Sequence, residues 1–118
     1  MGARTQVLLW VGQRASAAVL AVCVFVHLAT MVYAVRGGLS AQEILARLQG
    51  HAGWLAFYTV FVLAVAVHVP IGLRAILAEA LGWRGASRDW VLAAFGAFLL
   101  FAGLRAVLGL YGAFGVPA

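Results

Sequence analysis

Two histidines, His27 and His68, stand deep inside long apolar stretches of the chain. An ionisable side chain in such surroundings is costly to keep and marks a functional site by default. Neutral imidazole offers one nitrogen lone pair, and that is the donor haem iron takes as an axial ligand. The plainer alternative is a neutral histidine hydrogen-bonded to a neighbouring helix, but two of them on successive stretches favour ligation. Zinc would want four ligands in a tetrahedral array, and the apolar stretches contain no matching cysteine or carboxylate cluster. A proton relay through the two histidines would need a mid-stretch Asp or Glu to continue it, and there is none. His51 lies at the start of an apolar stretch and reads as an interfacial residue.

The neighbours of the two histidines suit a bulky flat cofactor. At helical spacing the face of His27 carries Gln13, Ser16, Leu20, Cys23, Thr30 and Ala34, mostly small or weakly polar. The face of His68 carries Phe57, Phe61, Ala64, Gly72, Ala75 and Glu79. Gly72 is one turn from His68, and a macrocycle approaching a helix edge-on needs such a gap. A glycine there also serves ordinary close packing of membrane helices.

The elements that position these residues are membrane helices. Of 118 residues, 66% are apolar and 9% charged. A soluble fold of this size has too little interior to hide that much apolar surface. The expected architecture is all-α and integral to the membrane, with three spans and one short interfacial helix. The spans are expected at about 13–35, 52–80 and 89–111 of a single membrane-anchor domain covering residues 1–118, each long enough for a roughly 30 Å hydrocarbon core. Gly37-Gly38 ends the first. Ser40-Ala41-Gln42-Glu43 reads as a capping box opening the short helix, with Ile44, Leu45 and Leu48 on one side. Pro70 lies inside the second span, where membrane bundles tolerate a kink. Gly96, Gly103 and Gly109 on the third favour close helix packing.

The formal charge of +5 is not a nucleic-acid footprint, because the eight basic residues are all Arg and are scattered singly. They sit mainly near the ends of the apolar stretches. Arg4, Arg14, Arg84 and Arg88, approached by Arg74, outnumber Arg36 and Arg47, approached by Arg105. That bias places the N-terminus in the cytoplasm. The first apolar run follows Arg4 and Arg14 and precedes a weak cleavage-like Val32-Tyr33-Ala34, but it is too long for a signal h-region and is read as a retained helix. Cys23 reads as a small packing residue. At 1.5 Å per residue, His27 lies about 20 Å from Arg14 and His68 about 16 Å from Glu79. This puts His68 nearer the cytoplasmic side and His27 slightly nearer the outer side.

The segment His68-Val69-Pro70-Ile71-Gly72-Leu73-Arg74 resembles the H-x-x-x-G-x-R signature of the cytochrome b membrane-anchor subunit of succinate dehydrogenase and fumarate reductase. Glu79 stands where that family often has an acidic residue. Gln13-Arg14-Ala15-Ser16-Ala17 resembles the family's H-R-x-S-G at the start of its first helix, with Gln13 in place of the histidine and Ala17 in place of the glycine. Trp10 stands where a quinone-binding serine is often found. The resemblance covers most of the chain. It implies haem b ligated by His68, with Gly72 and Arg74 beside it, and Arg14 and Ser16 near a quinone or a haem propionate. It also implies flavoprotein and iron–sulfur subunits docked on the cytoplasmic face of a bacterial-type inner membrane, electrons passing between the iron–sulfur clusters and quinone, and no dicarboxylate chemistry on this chain. His27 looks like the first-helix ligand of the dihaem anchors, which stack two haems.

Two ligands on opposite faces of one haem need backbones farther apart than the roughly 8–10 Å between packed helices. His27 and His68 are on sequential helices, so a second membrane-anchor chain is expected to supply the opposite ligand. A homodimer with two stacked haems is favoured over a distinct anchor with a single haem on His68. The rival readings are a cytochrome b subunit of another membrane dehydrogenase and a cofactor-free helical scaffold.

Overall fold

The computed structural model describes residues 2–112. Four helices follow one another, α1 (Ala3–Arg36), α2 (Ala41–Leu48), α3 (Ala52–Leu81) and α4 (Ala86–Tyr111). Among the described residues α1, α3 and α4 are long and apolar enough to cross a membrane. With nearly all backbone polar groups bonded inside each helix, such segments can enter lipid. The chain is an all-α, multi-pass membrane bundle.

α3 is the middle helix, and α1 and α4 both pack mainly against it. The three run antiparallel: Ser16 of α1 stands beside His68, and Gly103 of α4 beside Val62. α1 begins ten residues before the span expected from Arg14, so Arg14 lies inside a continuous helix instead of at its mouth. The uncharged residues between Arg4 and Arg14 extend the helix without a breaker. The outward sides of α1, including Val7, Leu8, Trp10, Phe25 and Val35, are exposed. With so little buried inside one chain, lipid or further chains must cover these sides.

Local sequence explains the boundaries. Ser40 accepts from the Glu43 amide at 3.2 Å, and the Ser40 amide donates to Glu43 Oε1 at 3.3 Å, completing the expected capping box of α2. His51 caps α3, its Nδ1 accepting from the Trp54 amide at 3.2 Å. Gly82 ends α3 with φ of 65°, the left-handed conformation that glycine adopts at helix ends. The Gly50 amide donates to the Tyr111 carbonyl at 2.9 Å, joining the α2–α3 turn to the end of α4.

Small residues set the α3–α4 approach. A Cβ built on Gly96 would lie 3.0 Å from Pro70 Cγ and 3.4 Å from the Ala66 carbonyl oxygen. That carbonyl is the acceptor which Pro70, lacking an N–H, leaves unbonded within α3. A Cβ on Gly103 would lie 2.5 Å from Val62 Cγ1. Gly109 differs from both, since a Cβ there would meet nothing within 4 Å. It lies beyond the closest stretch of the contact.

Candidate functional site

His68 projects from α3 into the seam with α1. Its Nδ1 is 3.3 Å from Ser16 Oγ, and Ser16 is buried. The Ser16 hydroxyl also reaches back along its own helix to the Gln13 carbonyl at 3.1 Å. Ser16 and Cys23, the buried residues of α1, both fall on the helix face read from the sequence as that of His27. The small side chains of this face let α1 lie close to α3.

Gly72, one turn below His68, does not open onto an empty slot within this chain. A Cβ there would lie 3.2 Å from Gln13 Nε2, so the gap receives the Gln13 amide. Gln13 Oε1 is buried and has no hydrogen-bond partner among the described residues. A buried acceptor without a donor is uncommon in folded proteins and is itself a pointer to a bound group or water. Position 13 therefore matters more than the sequence reading suggested. The signal available there was its polarity on an otherwise small-residue face.

His27 occupies the same seam at a different height. Its ring meets the edges of Tyr58 and Phe61 of α3, with centroids 6.2 and 6.0 Å away and interplanar angles of 84° and 81°. Thr30 Oγ1 donates to the His27 carbonyl at 2.7 Å. A cavity of about 240 Å³ opens beside it, lined by His27, Thr30, Tyr33, Arg47, Trp54 and Tyr58 among others. Ser16 marks the level of His68, so on α1 the two histidines are about eleven residues, or about 16 Å, apart along the bundle. The slight difference in depth estimated from sequence is too small. Arg14 and Glu79 are not level: α1 runs on past Arg14, and Gln6 is the α1 residue that shares a cavity lining with Glu79.

The remaining sequence candidates separate. Arg74 stands at the α3–α4 contact, its Nε 3.2 Å from Asp89 Oδ1. Arg88, whose side chain is only 7% exposed, places Nη2 3.0 Å from the same oxygen. Spacing along the chain marks Arg88 only as an orientation charge. Its place next to Asp89, the sole aspartate of the chain, was the available signal. Arg74, Arg84, Arg88, Glu79 and Gln6 line a cavity of about 310 Å³ at this end of the bundle. Arg14 is exposed, with its guanidinium carbon 5.2 Å from the Trp10 ring centroid. The structure thus brings Ser16, Gly72 and His68 together, with Gln13 added. It leaves Arg14, Arg74 and His27 at separate places. Among the described residues no three His, Cys, Asp or Glu side chains gather where they could hold a bare metal ion.

The comparisons with known proteins agree with the fold. No curated protein and no solved structure gives a match. The family model for the succinate dehydrogenase/fumarate reductase transmembrane subunit matches residues 1–104, which take in α1, α2, α3 and most of α4. The chain belongs to the succinate dehydrogenase/fumarate reductase transmembrane subunit family.

Proposed function

We propose that this anchor holds haem b through His68 and supports electron transfer between the iron–sulfur clusters of its complex and membrane quinone. The observation that carries the reading is the placement of His68 in the α1–α3 seam, with Ser16 at Nδ1 and the side-chain-free Gly72 one turn away. The donor chemistry fits haem: His68 offers an imidazole nitrogen in apolar surroundings. Bound there, haem would supply a one-electron carrier inside the bilayer. His68 would hold the iron, with Gly72 and the Gln13 amide that fills its gap one turn away. Arg74, at the α3–α4 contact, would contribute positive charge toward a propionate, and Arg14, on the exposed side of α1, would border the quinone or propionate side. His27 is the candidate second ligand.

The chain does no dicarboxylate chemistry in this reading. Flavoprotein and iron–sulfur subunits dock on the cytoplasmic face of a bacterial-type inner membrane, on the side where the N-terminus and the cluster of Arg74, Arg84 and Arg88 lie. A second anchor chain provides the opposite haem ligand. A homodimer would pair each histidine with its mate and stack two haems, and the wide separation of His27 and His68 along the bundle leaves room for that. One observation favours a single haem shared with a different anchor: the His27 ring already has Tyr58 and Phe61 as close neighbours.

The test is His68→Ala in the purified complex. The expected result is loss of a haem or its conversion to high spin, and an unchanged reduced spectrum and haem stoichiometry would refute the assignment. Haem per anchor chain distinguishes the assemblies. One haem per chain, with one of the pair lost in His27→Ala, identifies the homodimer. Half a haem per membrane chain, indifferent to His27→Ala, identifies a distinct partner.

A further inference from the structure

We infer that Ser16 is a positioning residue for His68: its hydroxyl holds the imidazole as the Nδ1–H tautomer and strengthens Nε2 as the donor to iron. The inference rests on the haem-anchor reading above and deepens it.

Ser16 Oγ has one hydrogen, and the Gln13 carbonyl stands 3.1 Å away to accept it. Back-bonding of this kind is common for a serine inside a helix. Assigning the hydrogen to that bond makes the oxygen, 3.3 Å from His68 Nδ1, the acceptor of the pair. In a neutral imidazole one nitrogen carries hydrogen and the other a lone pair. Nδ1 facing an acceptor must be the N–H, and Nε2 therefore carries the lone pair. Nε2 makes no hydrogen bond to another described residue, so that lone pair is available to a ligand.

Ser16 is buried, so water does not compete for the Nδ1 hydrogen. Ser16 and His68 also lie on different helices. The contact therefore fixes the rotation of the ring relative to α1 as well as its tautomer. Ligating histidines commonly donate their second N–H in this way, which makes the ligating nitrogen more basic. A more basic axial nitrogen favours ferric over ferrous iron and lowers the potential of the haem.

The experiment is a redox titration of the haem in the purified complex, on the native chain and on Ser16→Ala, Ser16→Cys and Ser16→Thr. Loss of an outer partner of this kind changes metal binding about tenfold or more. For the ferric form over the ferrous one, about tenfold is about 59 mV for a one-electron couple. The expected result is an upward shift of that order in Ser16→Ala. Ser16→Cys, close in size but a weak acceptor, should shift the same way. It serves as the test if the alanine chain does not assemble. Ser16→Thr keeps the oxygen and should retain the native potential. Native potentials in both Ser16→Ala and Ser16→Cys would overturn the inference, as would a Thr variant shifted as far as the Ala variant. Failure of the haem reading itself is separate, because it appears as normal haem content in His68→Ala.

Discussion

Gly103→Ala is the sharpest perturbation of the bundle. In lipid, helices associate through close van der Waals packing, with little hydrophobic drive between them. The new Cβ would stand 2.5 Å from Val62 Cγ1, 3.0 Å from Cγ2 and 3.3 Å from Cβ. Carbon atoms in contact prefer about 3.5–4.0 Å, so the helices must part by about 1 Å at this level unless Val62 turns away. Val62 cannot turn cheaply, because a β-branched side chain in a helix has one strongly preferred rotamer. Overpacking of this kind destabilises by about 1–3 kcal/mol. Alanine is the better helix former by about 1 kcal/mol, which offsets part of the loss. Gly109→Ala cancels that term, since it makes the same chemical change on the same helix with nothing within 4 Å. The two variants should therefore differ by about 1–3 kcal/mol in denaturant titrations of the detergent-solubilised anchor, Gly103→Ala being the less stable. Val62→Ala combined with Gly103→Ala should recover part of the difference, as contacting sites are not additive. Equal stability of the two glycine variants would refute the close α3–α4 contact.

Asp89→Asn removes the carboxylate that faces both Arg88 and Arg74. It should lower the melting temperature of the anchor, and Arg88→Met in the same chain should restore part of it, since it removes the buried charge. Ser40→Ala breaks the capping box of α2 and should weaken that helix by about 1 kcal/mol, seen as faster hydrogen exchange at the Glu43 amide. His51→Ala removes the cap of α3 and should likewise speed exchange at the Trp54 amide. His51→Asn should retain the slow rate, because asparagine is a strong capping residue.

Much of the architecture was readable along the chain because lipid imposes it locally. A backbone in hydrocarbon must satisfy its own hydrogen bonds, so long apolar stretches become helices whatever their neighbours. The capping box at Ser40 and Glu43 was legible for the same reason, since all its partners lie within four residues. The true start of α1 was not. An arginine such as Arg14 can sit in the middle of a helix when Trp10 and an exposed surface accommodate it. Its position marks His51 as interfacial, but its capping bond depends on a ring rotation that spacing does not specify.

The candidate site divides along the same line. Sequence alone determined that His27 and His68 lie inside long apolar stretches, that the face of His27 is lined mostly by small or weakly polar residues, and that the segment around His68 resembles a motif of the succinate dehydrogenase/fumarate reductase anchor family. These properties belong to one helix at a time, and periodicity carries them. Only the tertiary structure decided that Ser16 meets His68 Nδ1, that Gln13 fills the space at Gly72, and that Arg74 and Arg88 share Asp89. It also decided that the two histidines lie about 16 Å apart along the bundle. Each of these depends on the register between helices. Register is set by where small residues such as Gly96 and Gly103 let the helices touch, and a linear pattern does not contain it.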